Sequence, residues 1–291
     1  MNKRKLILID SLAIINTTYY GYRNNPTYTN EGFPNFLLQG MYRYLKNLHS
    51  KNEDHHVVFI TDSPKETYRT SIFPDYKKSR PDKDEDYKLQ IDLTFDLIRN
   101  FGYPIFVADG FEGDDLLATF SKRCKKSGLF DYIEIHTGDK DIYQTIDDVC
   151  VVFNLKKKCI VNKQNLLEHF PVLNHHVVDF LTMTGDSVDD VLGIDGCGQV
   201  SAVKLLQHFN SLENIIENLK YSDYKTIGIK KNIYENILNQ IENNLENILL
   251  CKKLILLKDD IEINISTKAI QRKEIELDLL DTFAKFYEIK K

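Results

Sequence analysis

The chain has 291 residues, 42% of them hydrophobic and 28% charged, with a formal net charge of −5. That length builds one large domain or two smaller ones, and no apolar run approaches a membrane span. The acidic balance argues on its face against a nucleic-acid partner, but setting aside nine clustered acids leaves a mildly basic remainder, so net charge alone excludes little.

The start, Met-Asn-Lys-Arg-Lys, is basic, but only Leu6 to Ile9 follow before Asp10, too few for a signal-peptide core. Leu6 to Ile9 instead reads as a strand (5–9), the first of five short apolar runs near 57–61, 103–107, 132–136 and 149–153. Between them Phe36–Leu48, Leu89–Phe101 and Asp115–Lys126 carry helical spacing. Alternation of this kind predicts an α/β layer with a parallel sheet over residues 1–165. Residues 63–88 interrupt it with Pro64, Pro74 and Pro81 among Lys65, Arg69, Lys77, Lys78, Arg80 and Lys83. This is a solvated charged loop or a substrate-facing arch.

From about 166 the pattern is helical, with three- and four-residue apolar spacing in Val177–Thr184, Val200–Phe209, Leu212–Leu219 and Tyr234–Leu257. A second, helical domain over 166–291 is expected. Cys124, Cys150, Cys159, Cys197 and Cys251 are odd in number and lack CxxC spacing. A zinc site or disulfide framework is therefore not expected, and a reducing, cytoplasmic setting is.

The acids carry the chemistry. Asp10 and Asp62 close apolar runs; Glu112, Asp114 and Asp115 open a helix; Asp139 and Asp141 follow the fourth run; Asp186 and Asp189 lie in the helical half. In a parallel sheet, groups beyond the carboxyl ends of the strands share one crevice. Any one such Asp, taken singly, is most often a helix cap or a turn former. Recurrence decides, because separate caps need separate reasons while one metal site explains every cluster. Bare, the acids repel; hard divalent cations would reconcile them, and two such ions are a known arrangement for phosphodiester hydrolysis.

Gly193-Ile-Asp-Gly196-Cys-Gly198 lies between two helical stretches, so a dinucleotide-binding reading is rejected. It is either a plain glycine-rich connection or a hairpin whose amides approach a phosphate.

The ordered motifs DS, YR…FPDYKKSRP, EGDD, TGDKD and GDSVDDVLGIDGCG together resemble the bacterial and phage 5′-nuclease family, from about residue 5 to 263. That family comprises flap endonucleases and the 5′→3′ exonuclease domain of DNA polymerase I. The resemblance implies a PIN-like domain, a helical arch (about 74–100) and a helix–three-turn–helix (SAM-like) DNA-binding domain. It implies Asp10, Asp62, Glu112, Asp114 and Asp115 around a tightly held Mg²⁺. Asp139, Asp141, Asp186 and Asp189 would lie nearer a second, with Mn²⁺ as a substitute. It places Lys77, Arg80 and Arg69 in catalytic positions. Tyr20, Tyr76, Lys78, Gly193, Gly196, Gly198, Ser201 and Lys204 would meet DNA, with K⁺ at the hairpin. Tyr19, Tyr20 and Tyr76 are candidates to stack on unpaired bases, with core packing the role of at least one.

The chain departs from the family pattern in four features: Ser11 replaces a glycine, Gln199-Val200 replaces an acidic–basic pair, Asp190 replaces an asparagine, and the arch is short. The expected activity is that of a free-standing, monomeric, Mg²⁺-dependent 5′-nuclease on DNA with 5′ ends, flaps or overhangs. A PIN-type ribonuclease, a non-cleaving DNA-junction binder and a small-substrate phosphatase are the rivals. The full set of acids weighs against a binder.

Overall fold

A computed structural model describes residues 4–290; the first three residues of the basic start, and Lys291, lie outside it. Six strands form one sheet: β1 (Lys5–Asp10), β2 (His56–Ile60), β3 (Ile105–Phe106), β4 (Tyr132–Thr137), β5 (Cys150–Asn154) and β6 (Cys159–Val161). Their order is β3-β2-β1-β4-β5-β6, parallel throughout except for the β5–β6 pair. The predicted run 103–107 shortens to two paired residues, because Pro104 has no amide to donate and only Ile105 and Phe106 are in register with β2. The antiparallel β6, three residues long, was not expected.

Chain order reverses across the sheet at β1, which has β2 on one side and β4 on the other. Crevices open at such a reversal, beyond the carboxyl ends of the strands. Here those ends are Asp10 and Thr137.

On one face lie α1 (Ser11–Tyr22), α2 (Phe36–Lys51) and, after the short α3 (Tyr68–Ile72), α4 (Glu85–Asn100). They cover Ile7, Ile9, Val57 and Phe59, all essentially inaccessible to water. Burial of such a side chain contributes about 1.5–3 kcal/mol. The opposite face, with Leu6, Leu8, Val58, Ile133 and Ile135, packs on α5 (Gly113–Lys126).

The helical half follows as α6 (Leu166–His169), α7 (Val177–Thr184), α8 (Gln199–Phe209), α9 (Leu212–Asn218) and α10 (Tyr224–Ile227). Then come α11 (Lys231–Asn243), α12 (Leu245–Ile255) and, near the end, α13 (Leu277–Phe286). The core under α5 runs without interruption into Phe180, Leu205, Ile237 and Leu254.

Three sequence expectations change. The single helix over Tyr234–Leu257 is two, because Asn244 leaves helical geometry (φ −132°, ψ 26°) and its side chain bonds Gln240. Asparagine competes for local hydrogen bonds in this way. The stretch 74–100 is not wholly an arch: residues 78–85 form an exposed strap, whereas α4 buries Tyr87, Leu97 and Ile98 in the core. Finally, the C-terminal segment packs against the α/β half. Leu280, Ala284 and Ile289 join the core beneath α2 and α4.

Candidate active site

Asp10 is held from two directions. Its Oδ1 accepts the Ala13 amide at 2.9 Å as N-cap of α1, and its Oδ2 accepts the Thr137 hydroxyl at 2.8 Å. Thr137 in turn receives the Asp139 amide at 3.1 Å, and Asp139 Oδ1 accepts the Asp141 amide at 2.9 Å. A relay of short bonds thus fixes three acids at the ends of two adjacent strands. Asp62 Oδ1 accepts the Gly113 amide at 2.6 Å, at the first turn of α5. A Cβ on Gly113 would lie 3.0 Å from that same oxygen. The glycine of EGDD is therefore what lets Asp62 approach the helix, a role that reading the acids alone missed.

The field inside the crevice is strongly negative. Burial pushes the Asp10 carboxyl up to about 6, with repulsion from Asp62 and Asp139 adding to it against its two hydrogen bonds. Burial, then repulsion from Asp139, Asp10 and Asp62, holds Asp114 well above the usual carboxylate range. Asp141 is raised in the same way, by burial and then by Asp139, Asp186 and Asp189. Asp139 also lies above its ordinary value, chiefly through burial. Carboxylates this close stay ionised together only if cations join them.

Protein cations reach the rim. Lys77 Nζ lies 2.6 Å from Glu112 Oε1 and 3.8 Å from Asp189 Oδ2. Arg80 Nη2 lies 2.6 Å from Asp189 Oδ1, and Lys140 Nζ 3.1 Å from Asp186 Oδ2. Burial alone would lower the Lys77 ammonium, but Glu112 and Asp189 more than reverse this and raise it. The segment 76–80 is laced to the 186–190 loop: the Lys77 amide donates to Asp189 O (3.2 Å) and the Ser79 amide to Asp190 Oδ2 (2.8 Å). Lys77 and Asp190 both hold left-handed backbones (φ 58° and 59°), a strain often found where a site is pre-formed.

Several expected roles are corrected by this geometry. Asp115 has no free oxygen to turn toward an ion. Arg69 takes both, at 2.6 and 2.9 Å, and the amides of Glu112 and Lys258 add 3.2 and 2.8 Å bonds. Arg69 is itself buried and donates to Leu254 O at 2.7 Å, so it is a positioning residue out of reach of any substrate. Tyr76 is 6% exposed, and its hydroxyl bridges Glu112 (3.1 Å) and Asp189 (3.0 Å), which leaves no ring face for a base. Tyr19 is likewise core, its hydroxyl donating to Asp84 at 3.0 Å. Tyr20 is 48% exposed, with the Arg23 guanidinium and the Lys83 ammonium 5.8 and 5.7 Å from its ring centroid.

In the hairpin, Gly193 packs against backbone: a Cβ there would meet Gly185 N at 2.4 Å. Gly198, at the N-cap of α8, has open space around it, and Gly196 (φ 73°) faces only the Asn236 amide. Ser201 is buried, while half-buried Lys204 donates to Gly228 O and Lys78 pairs with Asp75 at 2.8 Å.

An all-oxygen donor set suits a hard cation, and Asp141 Oδ1 is buried with no hydrogen-bond partner, as an oxygen reserved for a ligand would be. Among the described residues no three His, Cys, Asp or Glu side chains converge tightly enough to cage an ion unaided. Three of the acids are instead held by rim cations: Glu112 by Lys77, Asp186 by Lys140 and Asp189 by Arg80. The donors fit a dication that takes few carboxylates and keeps several waters.

The model of the 5′-3′ exonuclease N-terminal resolvase-like domain matches residues 5–171, and that of the C-terminal SAM fold matches residues 172–278. The chain belongs to the 5′-3′ exonuclease family. Within that family it is 27% identical to a 5′-3′ exonuclease of Aquifex aeolicus over 95% of this chain and 90% of that one. It is 30% identical to a 5′-3′ exonuclease of Buchnera aphidicola subsp. Baizongia pistaciae, over 91% and 85%. T5 5′-exonuclease, solved with divalent zinc ions, superposes with a TM-score of 0.69 at 19% identity, covering 98% of each chain. The 5′-3′ exonuclease fold is thus a PIN-like parallel-sheet domain followed by a helical SAM-type domain. Its described residues include no helix long and apolar enough to cross a membrane.

Proposed function

We propose that this chain is a metal-dependent 5′→3′ exonuclease and 5′-flap endonuclease hydrolysing phosphodiester bonds in DNA. One observation carries the reading: acids from four strand and helix ends share a buried crevice, while Lys77 and Arg80 enter at its rim. Asp10, Asp62, Glu112 and Asp114 would hold one Mg²⁺, with Asp115 acting through Arg69 and the α5 terminus. Asp139, Asp141, Asp186 and Asp189 would hold a second, and Mn²⁺ would substitute because the donors are oxygens. When bound, the ions supply water activation and stabilisation of the leaving oxygen.

The chain's own residues do the rest. Lys77 and Arg80 bring positive charge to the scissile phosphate, where charge grows in the transition state. Tyr76 fixes the spacing of Glu112 and Asp189 through its hydroxyl. The amides at Gly196 and Gly198, with Lys204, would meet a duplex backbone without reading sequence, and carbonyls of that turn suit K⁺. Tyr20 offers a stacking face to unpaired bases, and exposed Lys78 a phosphate contact. Residues 1–165 would serve as nuclease domain and the helical half as DNA-binding domain. We take the protein as a monomer, and five free cysteines support a reducing, cytoplasmic setting.

Cleavage of end-labelled 5′-flap, nicked and single-stranded DNA, with a matching RNA arm, tests this. Mg²⁺-dependent release from DNA 5′ ends is expected. Full activity in excess EDTA, or cleavage confined to RNA, overturns it.

A further inference from the structure

The turn from Lys77 to Arg80 carries both rim cations, and its consecutive amides are held unequally. The Lys77 amide donates to Asp189 O at 3.2 Å, the Lys78 amide to Asp75 O at 3.2 Å and the Arg80 amide to Lys77 O at 3.3 Å. The Ser79 amide, between the two cations, makes the shortest of these bonds, 2.8 Å to Asp190 Oδ2, and its acceptor is a carboxylate. A hydrogen bond to an ionised acceptor is roughly twice as strong as a neutral one. The turn needs such a bond. Lys77 holds a left-handed backbone (φ 58°), which a non-glycine residue keeps only where its surroundings impose it. The acceptor stands on a fixed loop, because Asp190 lies inside the backbone bridge between Asp186 and Val191, closed by bonds of 2.7 and 2.9 Å.

Side-chain pairs also fasten the turn, Lys77 to Glu112 and Arg80 to Asp189, both at 2.6 Å. They engage the same cations that the nuclease reading sends to the scissile phosphate, so a turn held by them alone would loosen as substrate is taken up. The Asp190 bond grips backbone and leaves both side chains free. Beyond Ser79 the strap runs exposed to Lys83, whose ammonium donates to Asn16 Oδ1 at 3.0 Å. The departure at position 190 fits this role. Asparagine, which the family resemblance gives there, and aspartate both offer the Ser79 amide an oxygen, and aspartate adds charge.

We propose that Asp190 is a positioning residue: its carboxylate clasps the Ser79 amide and thereby sets how far Lys77 and Arg80 reach over the acids. It acts through those two cations and not as an ion ligand. The effect on rate rests on the nuclease reading; the clasp itself does not.

Asp190→Ala and Asp190→Asn in the full chain test it. Millisecond hydrogen exchange needs no substrate: amide protection over 76–82 should fall in Asp190→Ala and be kept in Asp190→Asn. Unchanged protection in Asp190→Ala overturns the clasp. Mn²⁺ titrated without DNA, with free ion followed by electron paramagnetic resonance, should bind both variants as it binds the wild type. Weakened binding in Asp190→Ala puts the residue at the ions and overturns the assignment. In single turnover on a 5′-flap with Mg²⁺, Asp190→Ala should be slowed roughly tenfold or more at little-changed flap affinity, and Asp190→Asn by no more than about threefold. With Lys77→Ala and Arg80→Ala already in place, the Asp190→Ala penalty should shrink to about twofold or less, since nothing is left to position. An undiminished penalty in that background, or equal losses in the Ala and Asn variants, overturns the proposal. If the wild-type protein leaves the flap uncut, the nuclease reading falls, and hydrogen exchange still decides the clasp.

Discussion

Arg69 grips both carboxylate oxygens of Asp115, at 2.6 and 2.9 Å, with both side chains shut off from water. The same guanidinium holds the Leu254 carbonyl at the end of α12, so one residue ties α5 to the helical half. Breaking such a pair from one side leaves a buried, unmatched charge, a loss of about 3–5 kcal/mol. Arg69→Met should therefore lower the urea midpoint steeply. Arg69→Lys should recover only part of it, because an ammonium cannot reproduce the bidentate fork. Wild-type stability in Arg69→Met with activity lost would mark Arg69 as a substrate contact after all.

The glycines of the hairpin divide by what a methyl group would strike. At Gly193 (φ 73°) it meets Gly185 N at 2.4 Å, while at Gly198 it meets nothing within 4 Å. Gly193→Ala should destabilise the 185–193 loop by more than 1 kcal/mol or so, through strain and backbone clash. Gly198→Ala should cost about 1 kcal/mol or less, as a poorer N-cap, yet weaken duplex binding. Thermal melts paired with duplex affinity check both. A stability loss at Gly198 equal to that at Gly193 would make both structural.

The acids were legible in the sequence because they end apolar runs, and strands of a parallel sheet bring their ends together whatever lies between. Asp10 and Asp139 are the clearest case, joined through Thr137. What each acid touches was not legible. Nothing around Arg69 signals that its partner is Asp115, 46 residues later, or that Tyr76 would turn its hydroxyl inward to Glu112. Helix α1 escaped because its Ile, Thr and Tyr residues are mediocre helix formers; the Asp10 cap and the burial of Ile14, Ile15 and Tyr19 decide it. Helix α13 escaped because its apolar face has meaning only against α4.

The C-terminal segment is fastened partly through a histidine. Arg272 Nη1 lies 2.8 Å from His49 Nδ1, and the segment's backbone pairs with residues 100–102. Burial, then the neighbouring guanidinium, lowers the His49 imidazole from its ordinary value, only slightly offset by Glu53. A histidine lowered on folding gives stability that is present above the unfolded pKa and is lost as pH falls through the folded one. Between pH 7 and pH 5 the wild-type protein should lose stability relative to His49→Gln, and amide protection factors over 268–290 should fall relative to those of the variant. Parallel pH profiles for the two proteins would remove His49 from the fastening.

Tyr76 offers the sharpest separation of roles. Its ring is buried, and its hydroxyl connects Glu112, the N-cap of α5, with Asp189 on the far loop at 3.1 and 3.0 Å, beside the Lys77 ammonium that also reaches both. Tyr76→Phe keeps the ring and deletes that bridge. A base platform would survive the change, since stacking needs only the aromatic face. A clamp would not: Glu112 and Asp189 would keep Lys77 but lose their shared hydroxyl, and a hydrogen bond to charged groups is worth about 1.5–3 kcal/mol. The expected outcome is a single-turnover rate reduced by roughly tenfold or more with flap affinity little changed, since positioning of the acids affects the reacting geometry rather than docking. Mn²⁺ titration without DNA should show weaker binding for the same reason. Unaltered rate and Mn²⁺ affinity in Tyr76→Phe, with both lost in Tyr76→Ala, would assign the residue's whole effect to its ring and return it to the packing of the core.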